Sequence, residues 1–255
     1  MGVMQDHVVF VTGASAGIGA AIARRFARDG ARLVLTARRL EPLRALAAEL
    51  GVPAHVAVMD VRDRHAVDAV VAALPAQFAD VSIVVNNAGL ALGVDPAQHA
   101  DPADWDVVVD TNCKGVLHVT RALLPGMIAR DRGHVIMLGS VAGLYPYPGG
   151  NVYGATKAFV MNFALNLRAD LLGTRVRVTD VEPGMVAGTE FTTVRLRGDE
   201  EKARATYRGF EPLGPDDIAE AVHWCASQPP HVNVNRVELM PVMQSFAGFA
   251  VKRAP

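Results

Sequence analysis

Cysteine is scarce in this chain: Cys113 and Cys225 stand far apart, and no Cys-x-x-Cys occurs. That argues against a disulfide scaffold and for a reducing compartment, with both thiols expected to pack as small buried hydrophobes. A surplus of either charge is also lacking. The 25 basic residues face 26 acidic ones, for a formal net charge of −1, so no basic surface is implied and nucleic acid is not an expected partner. No unbroken apolar stretch is long enough to span a bilayer, which excludes a membrane partner of that kind. The eight histidines are scattered, without His-x-x-x-His or carboxylates at ligand spacing, so no metal site is predicted. The opening MGVMQDHVVF lacks the pattern of a secretory signal. Gly2 does not begin a myristoylation motif, because Asp6 stands where a hydroxyl residue belongs. The cytoplasm is the expected location.

What is abundant is hydrophobic side chain, half of the residues, enough for a sizeable core. Short apolar runs at 7–11, 31–36, 54–59, 81–85, 134–138 and 176–181 read as strands buried on both faces. Between them, helical periodicity marks 17–29, 40–50, 63–73, 104–130, 152–172 and 215–226. Such βαβα alternation predicts an α/β Rossmann fold: a doubly wound, mostly parallel sheet of about seven strands, with helices on both faces. No repeat, low-complexity tract or linker divides residues 1–255, so a single domain is expected. Two stretches stand outside the alternation: 185–212, polar and charged, and the apolar tail 240–255.

The first strand runs into Thr12-Gly13-Ala14-Ser15-Ala16-Gly17-Ile18-Gly19, and a helix follows at once. Gly13 permits a sharp turn, Gly17 lets backbone approach a pyrophosphate, and Gly19 lets the helix sit close to the strand. The helix N-terminus, around Ser15 and Ile18, presents unpaired N–H groups to an anion. After the second strand an acid would select NAD by binding the ribose 2′-hydroxyl. This chain has Arg38 and Arg39 instead, whose guanidinium forks suit a 2′-phosphate, so NADP(H) is the predicted cofactor. Asp60, followed by Val61 after the third strand, either holds the adenine amino group or caps a turn.

Tyr153-Gly-Ala-Thr-Lys157 puts a phenol and an ammonium on one helix face. The ammonium is expected to lower the phenol pKa and ready it for proton transfer. Ser140 ends the fifth strand, where open α/β sheets place ligands, and its hydroxyl can orient a substrate oxygen. Asn112 lies inside a long helical pattern; it is either an interruption leading a water chain to Lys157 or an ordinary exposed helix residue.

Together, Thr12-Gly13-x-x-x-Gly17-Ile18-Gly19, Asn86-Asn-Ala-Gly89, Asn112, Ser140, Tyr153-x-x-x-Lys157 and Pro183-Gly184 resemble the short-chain dehydrogenases/reductases over essentially the whole chain. The resemblance implies an Asn112–Ser140–Tyr153–Lys157 tetrad, with Tyr153 as acid/base and Lys157 also holding the nicotinamide ribose. It implies cofactor contacts from Asn87, Ala88 and Gly89, and from Pro183, Gly184 and Val186. More narrowly, Asn86-Asn-Ala-Gly-Leu-Ala-Leu-Gly93, Gly149-Gly-Asn-Val-Tyr-Gly-Ala-Thr-Lys-Ala-Phe159, Glu182-Pro-Gly184, Gly188-Thr-Glu-Phe191 and Met240-Pro-Val242 look like the NADP-dependent 3-hydroxy acid dehydrogenases, which act on serine, allo-threonine and similar acids. Tyr145-Pro-Tyr-Pro-Gly149 and Asp95-Pro-Ala97 look like sulfoacetaldehyde reductases, so a second substrate reading stays open.

A small anionic hydroxy acid or aldehyde is therefore the expected substrate. The stretch 185–212 leaves the carboxyl end of a strand and suits a lid. Within it Arg195 is the predicted anchor for the substrate's acid group, Arg197 is expected to be solvated, and Tyr147 is a second contact. A silent nucleotide-sensing module is the alternative from another class, but it would be expected to have lost Tyr153 or Lys157. The apolar tail, with Met243, Phe246, Phe249 and Val251, either packs on its own domain or, as the resemblance implies, serves a homotetramer by reaching a neighbouring active site.

Overall fold

The structure, a computed structural model, describes residues 4–246. Its strands are β1 (Val8–Thr12), β2 (Arg32–Ala37), β3 (Ala54–Val58), β4 (Ile83–Asn86), β5 (Gly133–Leu138), β6 (Val176–Pro183) and β7 (Arg236–Leu239). All pair in parallel, in the order β3-β2-β1-β4-β5-β6-β7. The apolar runs of the central strands β1 and β4 are continuous because both faces are covered. Val9 and Val11 of β1 point into one core, and Val8 and Phe10 into the other.

The helices are α1 (Gly17–Arg28), α2 (Leu40–Glu49), α3 (Arg64–Ala72), α4 (Ala76–Ala79), α5 (Pro102–Val109), α6 (Gly115–Ala129), α7 (Asn151–Asp170), α8 (Phe191–Arg195), α9 (Glu200–Ala205) and α10 (Pro215–Ser227). Helices α1, α2 and α10 cover one face through Phe26, Leu43 and Val222. Helices α3, α6 and α7 cover the other through Val67, Val119 and Val160. Strand order reverses between β1 and β4, which opens a crevice beyond their carboxyl ends.

Three differences from the sequence reading bear on the site. The single helix expected over 104–130 is two helices joined by a wide π turn, Asp110–Lys114. The turn brings the Asn112 side chain inward, so Asn112 is buried rather than exposed. The seventh strand, Arg236–Leu239, alternates exposed and half-buried residues at the sheet edge and so carries no continuous apolar run. The stretch 185–212 contains α8 and α9, and its root is pinned by reciprocal backbone bonds between Leu213 and the residues Met185 and Ala187, at 3.0 and 2.9 Å.

Of the tail, Met243 and Phe246 are exposed, and the Phe246 ring lies 4.4 Å from that of Tyr145. Phe249 and Val251 lie outside the described residues. Cys225 is buried and Cys113 partly so, both as free thiols. Among the described residues no helix is long and apolar enough to cross a membrane, and no cluster of metal-ligating side chains forms.

Candidate active site

A cleft of about 860 Å³ opens at the crevice, and every residue singled out as a candidate contact except Asn112 and Gly19 lines it. Its floor is the glycine loop. Gly13 and Gly17 adopt φ of 65° and 52°, which side-chain-bearing residues rarely take. A Cβ on Gly19 would lie 2.4 Å from the Gly13 carbonyl oxygen, so only glycine lets α1 start this close to β1. Helix α1 has no side-chain cap, and its first N–H groups face the cleft as an anion site.

Behind the loop, the Thr12 hydroxyl accepts from Asn87 N and Ala88 N at 3.0 and 2.9 Å. Asn87 Nδ2 in turn donates to the Thr12 carbonyl at 2.8 Å. The Asn87-Ala88 turn thus buttresses the glycine loop, with Thr12 as a keystone to which the motif reading gave no role.

At the β2 end of the cleft, Arg38 is exposed and has no ion-pair partner among the described residues. Arg39 is already engaged. Its terminal nitrogens donate to both Glu190 oxygens at 3.0 and 2.8 Å and to Ser15 Oγ at 3.2 Å. Asp60 lines the cleft and serves the turn, accepting from the Arg62 backbone and side chain. The hydrogen-bonded Arg62 guanidinium holds the Asp60 carboxyl below its ordinary range.

The four residues of the expected tetrad come together below the other end of the cleft. Lys157, buried in α7, donates to the Leu138 carbonyl at 2.6 Å, and its nitrogen lies 5.9 Å from the centre of the Tyr153 ring. Ser140 Oγ accepts from Ala142 N and donates to the Pro183 carbonyl. Asn112 is bound on both ends of its amide. Oδ1 accepts from Leu90 N at 2.9 Å, while Nδ2 donates to Leu90 O at 2.9 Å and to Thr156 Oγ1 at 3.0 Å. Thr156 then donates to the Tyr153 carbonyl at 2.8 Å, so Asn112 braces the first turn of α7.

The electrostatics correct one expectation. The Tyr153 phenol is not lowered: burial pushes it up to about 12, against a downward pull from the Ser140 hydroxyl and the Arg195 charge. Burial likewise pulls the Lys157 ammonium down to about 8, opposed by the Asp180 carboxyl. Desolvation penalises the charged form of each group and is the largest influence on both. Asp180 itself is fully buried behind Gly139 and is pushed up to about 8 by burial, with the Glu182 charge adding to the effect.

The stretch 185–212 lies over the tetrad. Phe191 packs on the Tyr153 ring at 5.5 Å. Arg195 donates to the Gly93 carbonyl at 3.1 Å, the Tyr147 hydroxyl at 2.8 Å and the Gly149 carbonyl at 2.8 Å. These bonds use three of the five donors a guanidinium carries. Arg197 is exposed, as expected, and also pairs with Asp104 at 2.5 Å, which fastens the stretch to α5. Glu190, Thr156 and Gln244, which accepts from Met185 N at 2.8 Å, also shape the site. Glu190 falls within the quoted Gly188–Phe191 motif, but pattern alone does not give its pairing with Arg39.

Residues 7–200 match the family model described as short chain dehydrogenase. The chain is 58% identical over 247 residues to an NADP-dependent 3-hydroxy acid dehydrogenase of Salmonella typhi, covering 97% of this chain and all of the relative. It is 52% identical over 245 residues to a serine 3-dehydrogenase of Agrobacterium fabrum, covering 96% of this chain and 98% of that one. Its backbone superposes on the closed form of a serine dehydrogenase complexed with NADP+ with a TM-score of 0.96, at 54% identity, over 97% of this chain and all of that one. The chain belongs to the short-chain dehydrogenase family.

Proposed function

We propose that the protein is an NADP-dependent oxidoreductase that interconverts a small 3-hydroxy acid, of the serine, allo-threonine or 3-hydroxypropionate type, with its keto or semialdehyde form. The observation that carries this reading is the grouping of Tyr153, Lys157 and Ser140 under Arg195, at the end of a cleft whose other end presents a glycine loop and Arg38. The residues fit a 2′-phosphorylated dinucleotide: α1 offers free N–H groups, Gly19 leaves no room for a side chain, and Arg38 has an uncommitted cation. Gly13, Ser15, Gly17, Ile18 and Gly19 would hold its pyrophosphate, and Arg38 and Arg39 the 2′-phosphate. Asp60 and Val61 would flank the adenine, with Asn87, Ala88, Gly89, Pro183, Gly184 and Val186 along the remaining length. When bound, NADP(H) supplies or accepts the hydride.

The chain supplies the proton and the positioning. Tyr153 gives its phenolic proton to the carbonyl oxygen in reduction and takes it from the hydroxyl in oxidation. Ser140 orients that oxygen. The Lys157 ammonium stabilises the phenolate formed, and Asn112 keeps the Tyr153 turn in place through Thr156. Arg195 offers its two remaining N–H groups to the acid group of the substrate, next to Tyr147. An anchor at that end holds the reacting carbon over the phenol. The stretch 185–212 acts as the lid. Exposed apolar side chains on α6 and α7, among them Leu117, Ile128, Phe159 and Leu165, support a homotetramer, and the paucity of cysteine supports a cytoplasmic location. A monomeric mass in solution overturns the assembly.

The test is a panel of serine, allo-threonine, 3-hydroxypropionate and sulfoacetaldehyde, each assayed with the phosphorylated and unphosphorylated cofactor. Activity confined to the hydroxy acids with NADP is expected. Preference for sulfoacetaldehyde moves the substrate to a sulfonate, and equal use of NAD overturns the cofactor reading.

A further inference from the structure

Arg39 is assigned above to the cofactor, yet in the structure it serves the lid. Both of its terminal nitrogens donate to Glu190, one to each oxygen, in the fork-to-fork arrangement that a phosphate would also seek. Glu190 stands at the start of α8, the helix that ends in Arg195. Thr189, beside it, lies against the glycine loop: a Cβ on Gly17 would sit 3.1 Å from the Thr189 methyl. The ion pair therefore ties the lid across the mouth of the cleft, directly above the N-terminus of α1. Both side chains are about half exposed, 49% and 57%, which makes the pair weak and exchangeable. A carboxylate and a 2′-phosphate are both anions, and one guanidinium cannot give the same two donors to both.

We propose that Glu190 competes with the cofactor's 2′-phosphate for Arg39. Arg39 then passes between lid and cofactor, and Glu190 moderates how strongly the phosphorylated cofactor is preferred. The inference rests on the reading of Arg39 as a 2′-phosphate ligand, so its test must separate the two.

The experiment needs no turnover. Calorimetric titration of the full-length protein with 2′,5′-ADP and with 5′-AMP, which differ only by the 2′-phosphate, gives the preference for that phosphate as a ratio of dissociation constants. It is run on the wild type, Glu190→Gln, Arg39→Ala and the double variant. Arg39→Ala is expected to cut the preference; if it does not, the assignment of Arg39 falls and the competition with it. Glu190→Gln keeps the shape of the side chain while removing its charge. It is expected to raise the preference about two- to fivefold, the worth of an exposed ion pair, with 5′-AMP binding unchanged. An unchanged or lower ratio overturns the competition while leaving Arg39 as the phosphate ligand. In the Arg39→Ala background the effect of Glu190→Gln should vanish. If it persists there, Glu190 acts through space on the phosphate and the exchange of Arg39 is wrong.

Discussion

The guanidinium carbon of Arg195 lies 5.7 Å from the centre of the Tyr153 ring and 5.4 Å from that of Tyr147. A cation from the lid thus stands beside the phenol assigned to proton transfer, its position set by two backbone carbonyls and one hydroxyl. If its free N–H groups hold the substrate's acid group, Arg195→Ala should lower kcat/KM for the anionic substrate by about 10- to 150-fold, the worth of a charge-assisted hydrogen bond. A neutral analogue of equal length should lose far less. Equal loss for both substrates, in steady-state kinetics, would mean that Arg195 only shapes the lid.

Tyr147→Phe separates the anchor from its support. The variant keeps the ring beside Arg195 and removes only the oxygen that accepts from Nη1. Loss of one hydrogen bond should raise KM for the hydroxy acid by about 2- to 12-fold, with kcat little changed. A fall in kcat with KM constant would instead place the Tyr147 hydroxyl at the reacting atoms.

Tyr153→Phe should cost about 10²- to 10⁴-fold in turnover, the usual worth of a general acid/base. The ring still packs on Phe191, so cofactor binding measured by fluorescence titration should be close to that of the wild type. Ordinary turnover in this variant would sink the proposed chemistry.

Much of this was legible in the sequence because the physics involved is local. The central strands β1 and β4 announce themselves as unbroken apolar runs, since helices cover both faces of the sheet, while β3 and β6 are readable from their β-branched residues. The edge strand at Arg236–Leu239 is not, because it is four residues long and two of them, Arg236 and Glu238, are charged and exposed. The glycines at 13, 17 and 19 are readable because backbone geometry allows nothing else there. Asn112 was conspicuous as a polar residue in a helical pattern, but the π turn that buries it depends on Leu90 and Thr156, which are distant in sequence. The pairing of Arg39 with Glu190, 151 residues apart, and of Arg197 with Asp104 depends on where the lid comes to rest. The tyrosine's environment could not be read either. An i, i+4 lysine suggests a lowered phenol, and only the depth of both groups shows that burial wins.

That reversal sets the pH dependence. With the phenol pushed up to about 12, Tyr153 rests as the proton donor throughout the neutral range. Reduction needs the donor form, so Tyr153 gives it no ascending limb. Oxidation needs the phenolate, whose fraction grows about tenfold per pH unit below the phenol's own pKa. Lys157 enters with the opposite sign. Its ammonium, pulled down to about 8, is charged below that pH and neutral above it, and the phenolate loses its stabilising partner as the charge is lost. The oxidation rate should therefore climb from pH 6 to about 8 and flatten above it, while the reduction rate holds level to about pH 8 and then falls. Initial rates of kcat/KM in both directions between pH 6 and 10 test this. Lys157→Arg supplies the control, because a guanidinium keeps its charge throughout that range. If the variant retains activity, the break near pH 8 should vanish in both directions. A break that stays at pH 8 in Lys157→Arg belongs to another group, and an oxidation rate that is flat from pH 6 to 8 contradicts a phenol held in its protonated form.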